Sequence, residues 1–215
     1  MRIGSCFGIP LKVNPFFILF LLIALYWGRI GEALLLFAIV LWHEGFHVVV
    51  AARYKLPVAD IELLPFGGVA RIEAFLQLNP EREWLVAAAG PLSNLLLVGA
   101  AYAVFPHLTI NPYWFRFFAQ ANLGMALFNL IPVLPLDGGR VLRSIMARCQ
   151  GFARATRTAA RLGQVFSVLL TAWAVYNVIC QRYNFILVLL TGIMLFFAAR
   201  NEQDSAAYAF MRYLT

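Results

Sequence analysis

The most constraining feature of this sequence is an acid between two histidines inside a long apolar run, His43-Glu44-Gly45-Phe46-His47. A charged side chain at the centre of a membrane helix costs about 2.5–3.5 kcal/mol on insertion scales. Three ionisable groups at such a place therefore suggest a function. On a helix, residues four apart lie about 40° apart around the axis and roughly 6 Å apart along it, so both imidazoles can reach one metal ion. The alternative is a polar contact between packed helices.

Glu44 follows His43 directly and projects about 100° from it on a helix. Its carboxylate can therefore meet a water on the metal without being a ligand. Two histidines and a glutamate in this spacing form the H-E-x-x-H pattern of zinc enzymes, in which the glutamate is the general base. The pattern predicts His43 and His47 as zinc ligands and Glu44 as the catalytic base.

The composition indicates a membrane protein. The 215 residues are 62% hydrophobic and 13% charged, whereas a soluble domain has roughly 45–50% apolar and about 25% charged residues. We expect an all-α polytopic protein embedded in the lipid bilayer. The net charge is +7, but the basic residues do not form a stripe interleaved with aromatic residues. We therefore expect no direct nucleic-acid partner. The three widely spaced cysteines predict neither a disulfide framework nor a second metal site.

Six membrane spans are predicted, at 15–27, 33–52, 84–105, 113–131, 162–180 and 183–199. No small-residue cleavage site follows the first span, so it is not interpreted as a signal peptide. With a cytoplasmic N-terminus, 14 of the 17 Lys and Arg residues face the cytoplasm and three face the other side. This asymmetry follows the positive-inside rule and predicts that both termini are cytoplasmic.

Two extended runs around Gly67 and Gly68 predict a β-hairpin between the second and third spans. The hairpin is apolar, and we expect it to dip toward the bilayer and line a wet cavity; a plain cytoplasmic hairpin is the alternative. In the third span, Gly90-Pro91 permits a kink and close helix approach. Helix packing alone would explain this motif, so Asn94 is only a weak site candidate.

Asp137 is the candidate for the third metal ligand. Catalytic zinc takes three protein ligands and leaves a position for water, and the remaining histidine, His107, lies in a loop on the opposite side. Asp-Gly-Gly is also an ordinary turn sequence. Because Pro132 and Pro135 end regular helix, we predict an unwound segment at Asp137 that re-enters a polar cavity. Asn129 can then present its amide to a substrate carbonyl.

The predicted reaction is hydrolysis of a peptide bond. Zinc lowers the pKa of water from 15.7 toward roughly 7. Glu44 takes a proton from the attacking water and passes it to the leaving amine. The metal and Asn129 stabilise the developing oxyanion.

These motifs together resemble the site-2 protease family, which consists of zinc intramembrane metalloproteases. The resemblance covers most of residues 1–200 and rests on four stretches: His43–His47, Leu64–Gly68, Ala89–Leu92 and Asn129–Arg140. It implies one zinc per chain, held by His43, His47 and Asp137, with Glu44 and Asn129 as catalytic residues. It also implies an edge strand offered to an extended substrate, with substrate contacts at Phe66, Gly67, Gly68 and Pro135.

In order and spacing, the motifs are most similar to the sporulation branch of that family. The resemblance implies processing of a pro-sigma factor in the mother-cell membrane around the forespore, under control by membrane-protein inhibitors. We expect one protease domain over 1–200 and a cytoplasmic tail over 201–215, without a CBS or PDZ domain. The alternatives are a site-2 protease acting on another membrane-anchored regulator and a metal-ion transporter. A transporter would be expected to carry more polar residues along its other spans.

Overall fold

The computed structural model of the protein describes residues 2–6, 9–13, 15–56, 58–64, 67–72, 80–108, 111–180, 182 and 185–212. Within these ranges the backbone alone is described at 2–6, 9–13, 15–17, 58–64, 67–72, 80–81 and 205–212.

The described part of the chain is nearly all helical. Its helices are α1 (Pro15–Tyr26), α2 (Ile30–Arg53), α3 (Pro80–Val104), α4 (Pro112–Asn129), α5 (Asp137–Gln150), α6 (Phe152–Ile179) and α7 (Ile186–Arg212), and its strands are β1 (Arg2–Cys6), β2 (Ile9–Val13), β3 (Val58–Leu64) and β4 (Gly67–Ile72). Four of the described helical stretches are long and apolar enough to cross a membrane: Ile30–Arg53, Arg82–His107, Phe152–Ile179 and Ile186–Asp204. This supports an integral membrane protein.

The four strands form one small sheet in the order β1-β2-β3-β4. β1 pairs antiparallel with β2, and β3 pairs antiparallel with β4. β2 and β3 are parallel, with Leu11 opposite Ile61, so the chain between them runs through α1 and α2. The N-terminal strands were not predicted. β4 lies at one edge of the described sheet and begins directly after residues 65–66.

The chain divides into two compact units, Met1–Phe128 and Asn129–Thr215. In the first unit α2 packs on α3. Ala51, Leu56 and Val86 form a buried apolar cluster at the end of α2, with Val50 and Tyr54 against it. Burial of this apolar surface holds the last turns of α2 against the first turns of α3.

In the second unit, small side chains let α6 approach its neighbours closely. Buried positions recur about every four residues along one face of α6, at Ala155, Ala159, Gly163 and Ser167. A Cβ added at Gly163 would come within 3.2 Å of Ala199 on α7. Such stripes of small residues are typical of helices that pack in membranes.

Polar contacts join the second half of α7 to α5 and α6. Arg143 of α5 donates a 3.1 Å hydrogen bond to Glu202 of α7, and its guanidinium lies 4.9 Å from the centre of the Phe152 ring. Gln164 of α6 donates to Gln203 of α7 at 3.2 Å. The residues predicted as a tail from 201 thus continue helix α7 as far as Arg212.

Some element boundaries differ from the prediction. The basic stretch 141–161 between the fourth and fifth predicted spans is divided between α5 and α6 at Gly151, whose φ of +78° is a conformation that glycine adopts readily. The unwound segment covers 130–136, and Asp137 is the first residue of α5 rather than part of it. α1 has 12 residues, so it is about 18 Å long, shorter than a hydrocarbon core of about 30 Å. Six spans therefore stay a prediction.

Candidate metal centre

The two histidines lie on one face of α2, as their spacing predicts. His43 and His47 are 3% and 4% exposed, and their rings meet edge to face with centroids 4.8 Å apart. Their Nε2 atoms are 3.2 Å apart. What this short distance means depends on where each ring carries its proton.

A chain of side-chain amides settles the tautomer of His43. Its Nδ1 lies 2.8 Å from Asn94 Oδ1. Asn94 Nδ2 donates to Asn122 Oδ1 at 2.9 Å, and Asn122 Nδ2 donates to the Phe118 carbonyl at 2.9 Å. Because a backbone carbonyl only accepts hydrogen bonds, the direction of every bond in this chain follows. His43 therefore carries its proton on Nδ1.

His47 reaches the same state through the backbone. Its Nδ1 lies 2.7 Å from the Val86 carbonyl of α3, so this nitrogen is the donor as well. Pro91 lies inside α3, and a proline in a helix interior disturbs the hydrogen bonds of the preceding turn. The carbonyl that loses its helical partner is that of Ala87, the neighbour of Val86.

With both Nδ1 atoms donating, the Nε2 atoms of the two rings face each other at 3.2 Å. In the neutral imidazole with its proton on Nδ1, the Nε2 atom is the one that can bind a metal. Two nitrogens that each lie about 2.0–2.1 Å from a tetrahedral zinc stand roughly 3.3 Å apart. The donor atoms, their tautomers and their separation all fit a metal ion, and each ring has the hydrogen-bonded second nitrogen that metal-ligating histidines almost always have.

Gly90 of α3 leaves room beside these donors. A Cβ at this position would overlap His47 Nε2 and lie 2.7 Å from His43 Nε2. The missing side chain therefore provides space next to both ligand atoms. Ser93 donates a 2.7 Å hydrogen bond to the Gly90 carbonyl. The Gly90-Pro91 motif, which helix packing alone could have explained, contributes to the shape of the site.

The two predicted catalytic side chains are both half-buried. Glu44 follows His43 in α2, which places it on an adjacent face as expected. Asn129 is the last residue of α4, immediately before the unwound segment.

In the second unit, Asp137 opens helix α5 and is 7% exposed. The preceding residue, Leu136, is extended with φ −66° and ψ 160°. Hydrogen bonds from Val133 N to the Ile131 carbonyl (2.8 Å) and from Leu136 N to the Val133 carbonyl (3.0 Å) hold the unwound segment. A carboxylate in the first turn also interacts favourably with the helix dipole.

Close packing fixes this segment within the second unit. Leu134 is fully buried against Ala159 and Ala160 of α6. A Cβ on Gly138 would overlap the Leu130 carbonyl, and one on Gly139 would overlap backbone atoms of Val133. The glycines after Asp137 are therefore required by the close approach of the unwound segment to the first turn of α5.

The predicted substrate contacts are only partly described. Gly67 and Gly68 are the first residues of β4 and pair with Leu64 and Leu63 of β3. Pro135 is half-buried in the unwound segment, after a cis peptide bond. Phe66 lies outside the described residues.

Asn122 was missed by sequence reasoning, although one signal was available. It is a fully buried amide within an apolar helix, where polar side chains are costly unless they have partners. Its partner, Asn94, is 28 residues away in the chain, and no local pattern indicates that contact.

His107, which was set aside as a ligand, lies exposed in a short 3₁₀ turn after α3.

Comparison with known proteins places this arrangement in a family. The family model for peptidase family M50 matches residues 31–111 and 107–171. The chain is 31% identical to a zinc metalloprotease of Methanocaldococcus jannaschii, over 94% of this chain and 60% of that protein. It is 29% identical to the stage IV sporulation protein FB of Bacillus subtilis, over 96% of this chain and 70% of that protein.

A solved structure agrees with these sequence comparisons. The structure of a site-2 protease from Methanocaldococcus jannaschii superposes with a TM-score of 0.74 at 29% identity, covering 94% of each chain. A putative zinc metalloprotease of Synechocystis is 37% identical over 80% of this chain and 51% of its own length. The chain thus spans between about half and 70% of the curated relatives compared here. It belongs to peptidase family M50.

Proposed function

We propose that this protein is an intramembrane zinc metalloprotease that hydrolyses a peptide bond in a membrane-associated protein. The observation that carries the proposal is the pair of buried Nε2 atoms facing each other at 3.2 Å, with both Nδ1 atoms engaged by acceptors. The relatives named as zinc metalloproteases and the site-2 protease structure support zinc as the ion.

The proposed ligands of one zinc ion per chain are His43, His47 and Asp137. Asp137 lies in the part of the chain that the M50 model matches, and it is a buried carboxylate. Three protein ligands leave one position for water, as in catalytic zinc sites. When bound, zinc lowers the pKa of water from 15.7 toward roughly 7.

Glu44 is the proposed general base. Its carboxylate takes a proton from the attacking water and delivers it to the leaving amine. The Asn129 side chain donates a hydrogen bond to the substrate carbonyl oxygen, which becomes negatively charged in the transition state. Half-burial of both side chains suits groups that must meet a substrate entering from outside.

The proposed substrate binds as an added strand along β4. β4 ends the described sheet, and an edge strand has free backbone groups that can pair with an extended peptide. Gly67 and Gly68 carry no side chains that would hinder the approach. Phe66 and Pro135 are the proposed contacts for substrate side chains.

Two contacts support the proposed six spans and cytoplasmic termini. Pairing of β2 with β3 requires an even number of membrane crossings between them, and the proposed two are the spans at 15–27 and 33–52. The ion pair between Arg143 and Glu202 likewise requires an even number of crossings between these two residues. The proposed two are α6 and α7. The excess of Lys and Arg on one side makes that side cytoplasmic. We propose one protease domain over 1–200 with residues 201–215 on the cytoplasmic side.

The proposed substrate is a pro-sigma factor processed during sporulation. Similarity to the stage IV sporulation protein FB over 96% of this chain supports this assignment. The protein would then act in the mother-cell membrane around the forespore, under membrane-protein inhibitors. Another membrane-anchored regulator is the alternative substrate of the same site.

The test uses the full chain, purified in detergent and incubated with a pro-sigma factor from the same genome. Glu44→Gln should lower the cleavage rate by about 10²–10⁴-fold, the range for loss of a general base, while zinc content stays at one per chain. Glu202→Gln, far from Glu44 in the sequence, is the control and should cleave normally. Cleavage that survives Glu44→Gln would refute the mechanism, and zinc uptake into liposomes would favour transport.

A second experiment tests the third ligand. Asp137→Ala removes a charged ligand and should weaken zinc binding by about 100-fold or more, beyond the effect of residues that only orient ligands. His43→Ala is the positive control and should abolish stoichiometric zinc. Unchanged zinc affinity in a folded Asp137→Ala protein would remove Asp137 from the ligand set.

A further inference from the structure

Among the described residues of the first unit, two amides on α3 and α4 form a completely buried polar chain. Asn94 and Asn122 are both 0% exposed, and each uses one N–H and its oxygen within the chain Phe118 O, Asn122, Asn94, His43. We call Asn122 and Asn94 together the amide relay. Burying two amides in apolar helices is costly unless they are hydrogen-bonded, so their arrangement calls for an explanation.

The two histidines are oriented in different ways. His47 donates to the Val86 carbonyl, and a backbone carbonyl cannot become a donor. His43 donates to Asn94 Oδ1, which belongs to an amide that can rotate by 180° and present its NH₂ group instead. In that case His43 Nδ1 would become the acceptor, and Nε2 would carry the proton and could not bind a metal. Something must prevent that rotation.

We propose that Asn122 is a positioning residue for zinc binding. Its Oδ1 accepts from Asn94 Nδ2 at 2.9 Å, and its own amide is oriented by the Phe118 carbonyl four residues earlier. Rotation of the Asn94 amide would place Asn94 Oδ1 next to Asn122 Oδ1, and the two oxygens would repel each other. Asn122 thus keeps His43 in the tautomer whose Nε2 faces the metal, although it does not contact the ring. The inference rests on the proposed zinc site.

The experiment measures Zn²⁺ affinity of the full chain in detergent by competition with a chromophoric chelator. Asn122→Ala should weaken binding by about 10-fold, the lower end of the range for groups that orient metal ligands. Adding Asn94→Asp to Asn122→Ala should restore tight binding, because a carboxylate accepts from His43 Nδ1 in either orientation. The aspartate is introduced in the Asn122→Ala protein because its oxygen would otherwise face Asn122 Oδ1. Such non-additivity separates positioning from packing.

Asn177→Ala is the matched control. Asn177 is also a buried asparagine that donates to the carbonyl four residues earlier, Trp173 at 2.8 Å, but it lies on α6 outside the relay. Its replacement should leave zinc affinity unchanged. Asn122→Leu, which keeps the side-chain volume, replaces Asn122→Ala if the alanine protein does not fold.

The outcomes distinguish this inference from the proposed function. If wild type binds one zinc and His43→Ala does not, but folded Asn122→Ala or Asn122→Leu binds as wild type does, the relay is refuted and the zinc site stands. An equal loss with and without Asn94→Asp also refutes it, because that loss is structural. If wild type binds no zinc, the proposed function itself fails.

Discussion

The proposed ligands in the two units are positioned by different means. In the first, His43 and His47 occupy one face of a continuous helix, and their relative position follows from the four-residue spacing. In the second, Asp137 follows seven residues without regular structure, 130–136. The first arrangement is determined locally by helix geometry. The second depends on how an irregular segment packs against a distant part of the chain.

The groups that support the ligands differ in the same way. The imidazoles are held by hydrogen bonds, through the amide relay and the Val86 carbonyl. The segment before Asp137 has backbone hydrogen bonds within itself, but its described contacts with α6 and α7 are apolar, with Leu134 against α6 and Val133 and Leu136 against Leu195. The first unit should therefore be sensitive to changes in hydrogen-bonding chemistry, whereas the second should be sensitive to changes in volume. Gly90 is an exception in the first unit, because it provides room beside the two Nε2 atoms rather than a hydrogen bond.

The largest effect is expected from Gly90→Ala. The added methyl would occupy the space beside both Nε2 atoms and should weaken zinc binding by more than about 100-fold, above the range for residues that only orient ligands. Gly99→Ala on the same helix is the control, because a Cβ there meets nothing within 4 Å. Zinc titration of both proteins compares them. Normal zinc binding by Gly90→Ala would show that the described space is not needed.

A smaller effect is expected from Gly139→Ala in the second unit. Its Cβ would overlap backbone atoms of Val133 and Leu134, so the unwound segment must shift. Overpacking of this kind costs about 1–3 kcal/mol, measurable as a lower denaturation midpoint in detergent. Gly124→Ala, whose Cβ meets nothing within 4 Å, should not destabilise the protein. Equal stability of the two variants would contradict the packing described around Asp137.

The smallest effects are expected from two ion pairs, one in each unit. Glu202→Ala removes a partner of Arg143, whose side chain is 9% exposed, and should cost about 1 kcal/mol, the upper end for accessible pairs. Arg29→Ala breaks a 3.4 Å pair with Glu32 in which the arginine side chain is 68% exposed, and should have the smaller effect because solvent screens the pair. Thermal unfolding at low and high salt compares them. A larger loss of stability for Arg29→Ala than for Glu202→Ala would contradict this expectation.

The features that were predicted from the sequence are those with a local cause. The spacing of His43 and His47 and the position of Glu44 depend only on helix geometry. The break before Asp137 follows from Pro132 and Pro135, which interrupt helical hydrogen bonding wherever they occur. The prolines could not show that the segment would end before Asp137, because that boundary depends on packing against α6.

The features that were not predicted depend on contacts between distant residues. β2 pairs with β3 across two helices, so nothing near residues 9–13 indicates a parallel partner. Asn94 and Asn122 become a relay only when α3 lies beside α4. Asn94 alone could be explained by helix packing, and Asn122 carried no motif. A buried polar side chain indicates that a partner is needed, but not which residue it is.

The order of the proposed ligands along the chain has a consequence for biosynthesis. The acceptors of the two Nδ1 atoms, Asn94 and the Val86 carbonyl, and Asn122 behind Asn94, are translated before Asp137, which comes 90 positions after His47. At about 5–20 residues per second, the ribosome needs roughly 5–18 s to add that stretch. The hydrogen bonds that orient the two imidazoles thus have time to form before the proposed carboxylate ligand has been synthesised.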